Sequence, residues 1–374
     1  MKIQLPEVCK EIFAGGDVPK DRFSKEKTDL FNVPIYANAE QDDGLYGYTD
    51  KARVYEESIT IAARGTIGYT SIRKEPFLPV VRLITVIPNN KKVDTTYLYY
   101  ALRHLKPKSS GTSIPQLTVP TIKSYSFNYA DSIDEQKRIV ARLSLLERII
   151  RDRTIELNLL DELIKARFVE MFGSIYEDRF PKCKLKEVAH IKHGYAFSGE
   201  FFSDEDNGIV LVTPGNFAIG GGFQEIKNRY YTSDYSEEYV LHPGDLIVTM
   251  TDLSKKADTL GYGAIVPDTD KVYLHNQRIG LFDKLDEKLN PVFVRWYMQT
   301  DEYRLEIVRT STGSTVHHTS PDRILNSTIY LPPIETQILF AQFAKQVDKS
   351  KVAIQKSLDK TKLLFESLMQ EYYG

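Results

Sequence analysis

Two long segments without proline or glycine constrain this fold more than any other feature. Residues 134–172 and 334–372 each run for 39 residues without either helix breaker, enough for a helix of about 58 Å. The first closes on LNLLDELIKARFVEMFG (157–173), and the chain closes on LDKTKLLFESLMQEYYG (358–374). These closing segments start 201 residues apart (358 − 157). The pattern predicts two copies of one long helix.

Both segments place an apolar residue every three or four positions, which is the heptad pattern of a coiled coil. We call these positions the seam. The two seams keep the same phase when they are shifted by 201 residues (340 − 139). The residues expected to pack helix against helix are Ile139, Leu143, Leu146, Ile150, Leu157, Leu160 and Ile164, and Phe340, Val347, Ile354, Leu358, Phe365 and Leu368.

The segments that precede the helices also resemble each other. LPEV (5–8) and LKEV (185–188) open them, and GTSIPQLTVPTI (111–122) aligns with GSTVHHTSPDRI (313–324). Both segments combine β-branched and aromatic residues with frequent turn residues, which is typical of mixed strands and loops. From opening tetrapeptide to helix start, the second copy is longer by about 21 residues (334 − 185 against 133 − 5). The two globular surfaces should therefore differ.

We expect a mixed α+β protein with two α/β globular domains separated by two long antiparallel helices that form a coiled coil. The predicted boundaries are 1–133, 134–173, 174–333 and 334–374. A long helix with a single apolar stripe needs a partner in water, and its own repeat is the obvious one. Antiparallel pairing would place the globular domains at opposite ends, related by a pseudo-twofold axis. Such a pair could bind two half-sites on DNA.

Composition neither requires nor excludes a nucleic acid partner. The net charge is −2, but residues 1–130 carry +4 (18 − 14) and residues 180–332 carry −5 (16 − 21). Phosphate binding needs only a few well-placed cations. The two cysteines, Cys9 and Cys183, have no CxxC spacing and fit a reducing compartment. With no signal-like or membrane-spanning apolar run, we expect a cytoplasmic protein with no membrane partner.

No catalytic motif is found. The Asn/Asp-Pro-Pro-aromatic element of adenine methyltransferases is missing, since Pro332-Pro333 is preceded by Leu331 and followed by Ile334. No phosphate-binding GxxxxGK[ST] is present, and no GxSxG or metal-spaced His/Cys cluster. We therefore expect no catalytic residue, no metal site and no cofactor in this chain.

Two alternative functions remain open, a DNA endonuclease and a structural adaptor, together with one possible metal site. Asp268 precedes Asp286-Glu287-Lys288 at a spacing that a Mg²⁺-dependent DNA endonuclease could use. His317-His318 could form part of a metal site, although adjacent histidines point in different directions. The long helices would also suit a structural coiled-coil adaptor that binds no nucleic acid.

The order of parts resembles the specificity subunit of a type I restriction–modification system. The segments that carry the resemblance are ITIAARGTIGYTSIRKEPFLP (59–79), VAHIKHGYAFSGEFF (188–202), LHPGDLIVTMTD (241–252), YLHNQRIGLF (273–282) and YLPPIETQ (330–337). The resemblance covers essentially the whole chain. It implies two target-recognition domains that bind a split, asymmetric site in double-stranded DNA.

The resemblance also implies partners. Two modification subunits would dock on the helices and methylate adenine with S-adenosylmethionine. A restriction subunit, in systems that have one, would supply ATP- and Mg²⁺-dependent translocation and cleavage.

Base recognition requires side chains with paired donors or donor–acceptor groups. The candidates lie in loops that are rich in glycine or follow predicted strands. They are Arg64, Thr66, Arg73, Lys74 and Gln116 in the first domain, and Lys255, Lys256, Asn276, Gln277, Arg278, Ser314, His317 and His318 in the second.

Overall fold

The chain divides into two compact units, and each contains part of both long helices. A computed structural model describes residues 2–104, 116–226, 228–313 and 315–374. The first unit comprises Met1–Glu156 with Ile354–Gly374, and the second comprises Leu157–Ala353. Each unit therefore consists of a globular part and two packed helical segments.

The first unit contains nine described strands, two short helices and the beginning of a long one. The strands are β1 (Lys2–Gln4), β2 (Cys9–Ala14), β3 (Val33–Tyr36), β4 (Leu45–Thr49), β5 (Ser58–Ile61), β6 (Thr70–Arg73), β7 (Leu78–Pro79), β8 (Ile84–Pro88) and β9 (Ser126–Asn128). The helices are α1 (Thr95–His104), α2 (Val119–Lys123) and the long α3 (Ile133–Phe172).

The second unit has thirteen described strands. They are β10 (Lys182–Lys184), β11 (Ala189–His193), β12 (Phe202–Ser203), β13 (Ile209–Val212), β14 (Arg229–Tyr231), β15 (Val240–Leu241), β16 (Leu246–Thr249), β17 (Thr251–Asp252), β18 (Gly263–Ile265), β19 (Val272–His275), β20 (Ile279–Leu285), β21 (His317–His318) and β22 (Thr328–Tyr330). Its helices are α4 (Pro291–Tyr297), α5 (Asp301–Thr310), α6 (Pro321–Leu325) and the beginning of the long α7 (Ile334–Tyr373).

The two units share one strand topology. A four-stranded sheet has the order β2-β8-β5-β6 in the first unit and β11-β20-β16-β18 in the second. The first unit's second sheet, β4-β3-β7, corresponds to β14-β13-β19, which gains β12 at one edge and β15 at the other. In both sheets the last two strands of the shared trio run parallel. The additional strands use part of the extra sequence in the second copy.

The opening and closing strands of each globular part also pair in the same way. β1 pairs antiparallel with β9, which ends shortly before α3. β10 pairs antiparallel with β22, which ends shortly before α7. The internal repeat that the sequence predicts is therefore a repeat of structure. The predicted α+β class is confirmed.

The seam residues are buried or half-buried in the two long helices. Leu143, Ile164 and Phe340 are fully buried, and Leu358 is nearly so. The remaining seam positions are buried or half-buried, namely Ile139, Leu146, Ile150, Leu157, Leu160, Val347, Ile354, Phe365 and Leu368. α3 begins at Ile133, one residue before the predicted segment, and ends at Phe172, whereas α7 begins at the predicted Ile334 and ends at Tyr373.

 

Compared with the predicted segments, α3 therefore lies one residue earlier at both ends, and α7 ends one residue earlier. No helix in the described ranges is both long enough and apolar enough to cross a membrane.

In the first unit, the start of α3 packs against the end of α7. Ile139 and Leu143 share a core with Met369 and Tyr373. Arg142 donates a 3.0 Å hydrogen bond to the hydroxyl of Tyr372. Because the beginning of one helix contacts the end of the other, the two helical segments run antiparallel here.

In the second unit, the end of α3 packs against the start of α7. Asp161 of α3 forms an ion pair with Lys351 of α7. Further along α3, the ring of Phe168 lies 5.3 Å from the ring of Phe340. Later residues of α3 contact earlier residues of α7, so these segments are also antiparallel. Phe293 of α4 joins this aromatic core, 4.9 Å from the ring of Phe172.

Each long helix begins with a buried glutamine that is bonded to the globular part. In the first unit, the Gln136 side chain accepts from the Asp94 amide at 2.8 Å and donates to the carbonyls of Lys92 and Ala130. In the second unit, Gln337 accepts from the Asn290 amide at 2.9 Å. The shared IDEQ and IETQ sequences thus correspond to one repeated attachment of helix to domain.

Candidate nucleic-acid interface

Two predicted residues of the first unit, Arg64 and Gln116, contact each other. Arg64 lies in the loop after β5, and its guanidinium Nη2 donates a 2.9 Å hydrogen bond to the Gln116 side-chain oxygen. The Leu117 amide donates to the carbonyl of Ala63 at 3.0 Å, which joins the two loops through the backbone as well. Arg64 is exposed, so this pair presents hydrogen-bonding groups to solvent.

An asparagine that the sequence did not single out positions this loop. The side chain of Asn38 accepts from the Ala63 amide at 2.7 Å and donates to the Val81 carbonyl at 2.5 Å. One side chain therefore connects the Arg64 loop to the turn after β7. A lone asparagine in a turn-rich segment gives no sequence signal for this role.

Arg73 is not available for base contact, which corrects its prediction as a DNA-binding residue. Its side chain is 4% exposed, lies over the Tyr36 ring at 3.7 Å, and donates from Nε to the Thr60 hydroxyl at 3.0 Å. It also forms an ion pair with Asp43. These contacts occupy the guanidinium and hold the turn before β4. The neighbouring Lys74 is exposed.

Thr66 is exposed at the tip of the Arg64 loop. Its carbonyl accepts a 3.0 Å hydrogen bond from the Tyr69 amide, which closes the tip. The Thr66 side chain is therefore placed beside Arg64 on an ordered loop.

In the second unit, the two predicted histidines are brought to the loop that carries Lys255 and Lys256. β21, formed by His317 and His318, pairs antiparallel with β17. The His317 Nε2 lies 3.3 Å from the Lys255 carbonyl, and the His318 Nδ1 lies 3.2 Å from the Thr251 hydroxyl. Lys255 and Lys256 are exposed. The predicted Ser314 lies outside the described residues.

A buried carboxylate orders the loop that contains the two lysines. Asp252 is 3% exposed and accepts hydrogen bonds from the amides of Ser254 at 2.6 Å and Leu260 at 3.1 Å, and from the Thr259 hydroxyl at 2.8 Å. Burial by itself raises the pKa of Asp252, but the hydrogen bonds from Ser254 and Thr259 outweigh it and lower that pKa below its ordinary value. The carboxylate therefore stays charged and holds the loop.

The turn after β19 carries the remaining candidates. Asn276 is 7% exposed, and its side-chain oxygen accepts from the Arg278 amide at 3.0 Å. Gln277 and Arg278 are both exposed. Asn276 thus shapes the turn, while its two neighbours point their polar groups towards solvent.

The hydrogen-bonded side-chain pairs of the two units occupy equivalent backbone positions. The Thr319 amide donates to the Met250 carbonyl at 2.9 Å, which repeats the bond between Leu117 and Ala63. Arg64 and Gln116 therefore correspond to Thr251 and His318. The two units differ in chemistry at this place, because Arg64 is exposed in the first unit whereas Thr251 is buried and His318 is exposed in the second.

The alternative nuclease site is not assembled. Across residues 2–104, 116–226, 228–313 and 315–374, no group of three or more His, Cys, Asp or Glu side chains is arranged to hold a metal ion. The Asp286 carboxylate instead accepts from the Lys288 amide at 2.9 Å and closes its own turn. His317 and His318 are engaged as described above.

A family model matches this chain twice. The model describes the type I restriction modification DNA specificity domain, and it matches residues 1–159 and 177–362. The two matches together cover most of the chain, and each includes one globular part and helical sequence that follows it.

Proteins of similar sequence are described as type I specificity subunits. The chain is 38% identical over 149 residues to the candidate type I specificity subunit S.MpnORF89P of Mycoplasma pneumoniae, covering 40% of this chain and 44% of that protein. It is 25% identical over 289 residues to the type I restriction enzyme MjaVIII specificity subunit of Methanocaldococcus jannaschii, covering 71% and 66%. The first of these matches thus spans less than half the length of the relative.

Two solved structures share the fold. One is the S subunit of a type I restriction–modification system from M. genitalium, with a TM-score of 0.63, 13% identity, and coverage of 100% of this chain and 96% of that one. The other comes from a structural study of complex assembly and conformational transition in the type I system. It has a TM-score of 0.55 and 14% identity, with coverage of 100% and 97%.

Proposed function

This chain belongs to the type I restriction modification DNA specificity domain family, and from that premise we propose that it is a specificity subunit that binds a split, asymmetric sequence in double-stranded DNA. Each globular part, residues 1–133 and 174–333, serves as one target-recognition domain. The helical segments 134–173 and 334–374 serve as spacers between them.

The observation that carries this proposal is a repeated fold with unlike polar groups at equivalent loop positions. The first unit offers a guanidinium and an amide at Arg64 and Gln116, where the second offers the exposed imidazole of His318, held by the buried Thr251. Direct recognition of bases depends on the donor and acceptor pattern of such groups. Equal folds with unequal groups suit two half-sites of different sequence.

The long helices supply the surface for two modification subunits. In the second unit, α3 exposes Leu159 and Leu163 at 62% and 47%. The two residues lie four positions apart, so they share one face of the helix, apart from the buried seam. An exposed apolar stripe of this kind is a feature of protein interaction sites.

In this proposal the chain itself makes and breaks no covalent bond and works in the cytoplasm. The modification subunits provide S-adenosylmethionine-dependent adenine methylation. A restriction subunit, where the system has one, provides the steps that need ATP and Mg²⁺.

Binding measurements with and without the modification subunit test the proposal. The isolated chain should bind a pool of random DNA duplexes weakly, and the assembled complex should bind and enrich one split sequence. Affinity should fall as salt rises, because phosphate contacts release counterions. Enrichment of no sequence by the assembled complex would refute the proposal.

The same preparation distinguishes the alternatives. A free-standing nuclease would cut plasmid DNA with Mg²⁺ and no partner. A structural adaptor would show no salt-dependent retention on DNA, with or without the modification subunit.

A further inference from the structure

Each unit contains a four-residue turn at an equivalent place, and the third residue of each turn is an arginine. The turns are Val80–Leu83 in the first unit and Asn276–Ile279 in the second, and both follow the strand that pairs in parallel within its sheet. Each turn is closed by a 3.0 Å hydrogen bond from the amide of its fourth residue to the carbonyl of its first. Arg82 therefore occupies the same turn position as Arg278, although only the first turn has positive φ values at its two central residues.

Each turn is held by a neighbouring segment of its own unit, and the two segments are equivalent. The amide of the second turn residue donates to the carbonyl of Gly16 at 2.7 Å in the first unit, and to that of Tyr195 at 2.9 Å in the second. The residue before each acceptor is a glycine, Gly15 or Gly194. A Cβ there would lie 2.6 Å and 2.2 Å from backbone atoms. The close approach therefore requires glycine and repeats in both units.

Both arginines are exposed, unlike Arg73. Within the described residues, neither the Arg82 nor the Arg278 guanidinium has an ion pair, a side-chain hydrogen bond or a ring contact. The backbone of each turn is held by hydrogen bonds, and its guanidinium is free to bind an external partner.

The first turn keeps a backbone conformation that its residues disfavour. Val81 and Arg82 have φ values of 52° and 62°, as in a type I′ turn, which prefers Asn-Gly. A β-branched residue in this region is strained. The bond from Asn38 to the Val81 carbonyl helps to maintain it. Strain that the surroundings maintain is a feature of functional sites.

We propose that Arg82 recognises a guanine in the half-site of the first unit, as the counterpart of Arg278 in the second. An arginine guanidinium presents two parallel donors that match the O6 and N7 acceptors of guanine in the major groove. The inference rests on the proposed function, since it concerns which base each unit contacts. It adds a residue, Arg82, that the sequence did not identify.

Selection from random DNA tests this inference. The assembled complex of the full chain with its modification subunit is mixed with random duplexes of about 40 base pairs, and the bound fraction is sequenced. Arg82→Ala should reduce the preference for guanine at one position of one half-site by about tenfold to a hundredfold. The other half-site should keep its preference. Arg278→Ala should give the reverse pattern.

Further variants separate this effect from misfolding and from phosphate binding. Arg82→Gly suits the positive φ, so it should fold and lose the same preference. Arg82→Lys keeps the charge but not the paired donors, so it should lose the preference as well. Arg53→Ala, an exposed arginine of the same unit that lies over Phe13, should change neither half-site.

Two results would overturn the inference while the proposed function stands. One is the finding that the Arg82→Ala and Arg82→Gly complexes select the same sequence as the wild-type complex. The other is full guanine preference in Arg82→Lys, which would indicate a phosphate contact. If the wild-type complex selects no sequence, the proposed function fails first and this inference falls with it.

Discussion

The guanidinium of Arg64 donates a 2.9 Å hydrogen bond to the side-chain oxygen of Gln116, although 52 residues separate the two in sequence. The equivalent pair in the second unit, Thr251 and His318, lies at 3.2 Å. In both units a side chain that follows a central strand, in a loop in the first unit and in β17 in the second, contacts a side chain from the segment before a short helix. The pairing fixes orientation, and the residue types determine which base edges can be bound.

This pairing predicts energetic coupling in DNA binding. Arg64→Ala in the assembled complex should weaken specific binding by about 1–3 kcal/mol. Gln116→Ala should cost less, because it leaves the guanidinium of Arg64 in place. The double variant should depart from additivity by about 0.5 kcal/mol or more. A titration with the selected DNA measures all three, and strict additivity would show that the bond does not orient Arg64 in the complex.

The apolar stripe on α3 predicts a partner-binding variant that folds normally. Leu159→Glu should weaken binding of the modification subunit at least tenfold, about 1.4 kcal/mol or more, because it places a charge in an apolar interface. Stability should change by less than about 0.5 kcal/mol, since the side chain is 62% exposed. Surface plasmon resonance measures the binding. Leu305→Glu, at 66% exposure on α5, is the matched control. Equal effects of the two variants would exclude this stripe as the docking surface.

The buried glutamine at the start of α7 predicts a large loss of stability. Gln337→Leu would leave the Asn290 amide and the carbonyls of Lys288 and Pro332 without their bonds of 2.9, 2.8 and 2.8 Å. Orphaned buried groups cost about 1–3 kcal/mol each before relaxation, so a loss of about 2–4 kcal/mol is expected from urea unfolding.

Gln342→Leu, at an exposed position of the same helix, is the control and should have little effect. If both variants unfold at the same urea concentration, the attachment of α7 does not depend on Gln337.

A buried histidine predicts that stability falls with acidification. His275 is 1% exposed, and burial lowers its pKa from 6.5 to about 4. Since the pKa is lower in the folded state, the unfolded chain takes up the proton first as pH falls. The stabilisation is complete above about pH 6.5 and is lost between there and about pH 4, by about 3 kcal/mol.

Urea unfolding at several pH values checks this dependence. His275→Gln should flatten the slope between pH 6.5 and pH 4, whereas the exposed His242→Gln should keep it. An unchanged slope in His275→Gln would assign the pH dependence to other groups.

The long helices and the repeat were predictable from sequence because their signals are local and periodic. Freedom from proline and glycine over 39 residues, and an apolar residue every three or four positions, determine a helix and its buried face. The glutamines at 136 and 337 occupy the same place in the similar tetrapeptides IDEQ and IETQ, whereas their bonds to the globular parts are seen only in the structure.

The exposure of individual polar side chains was not predictable in this way. Arg73 was expected at the DNA surface, yet it is buried and paired with Asp43, a residue 30 positions away. Arg82 gave no signal, because its equivalence to Arg278 depends on sheet register and on the turns that follow. Periodicity along a chain determines which face of a helix is apolar. Whether a charged group meets a partner or solvent depends on residues that only the tertiary structure brings together.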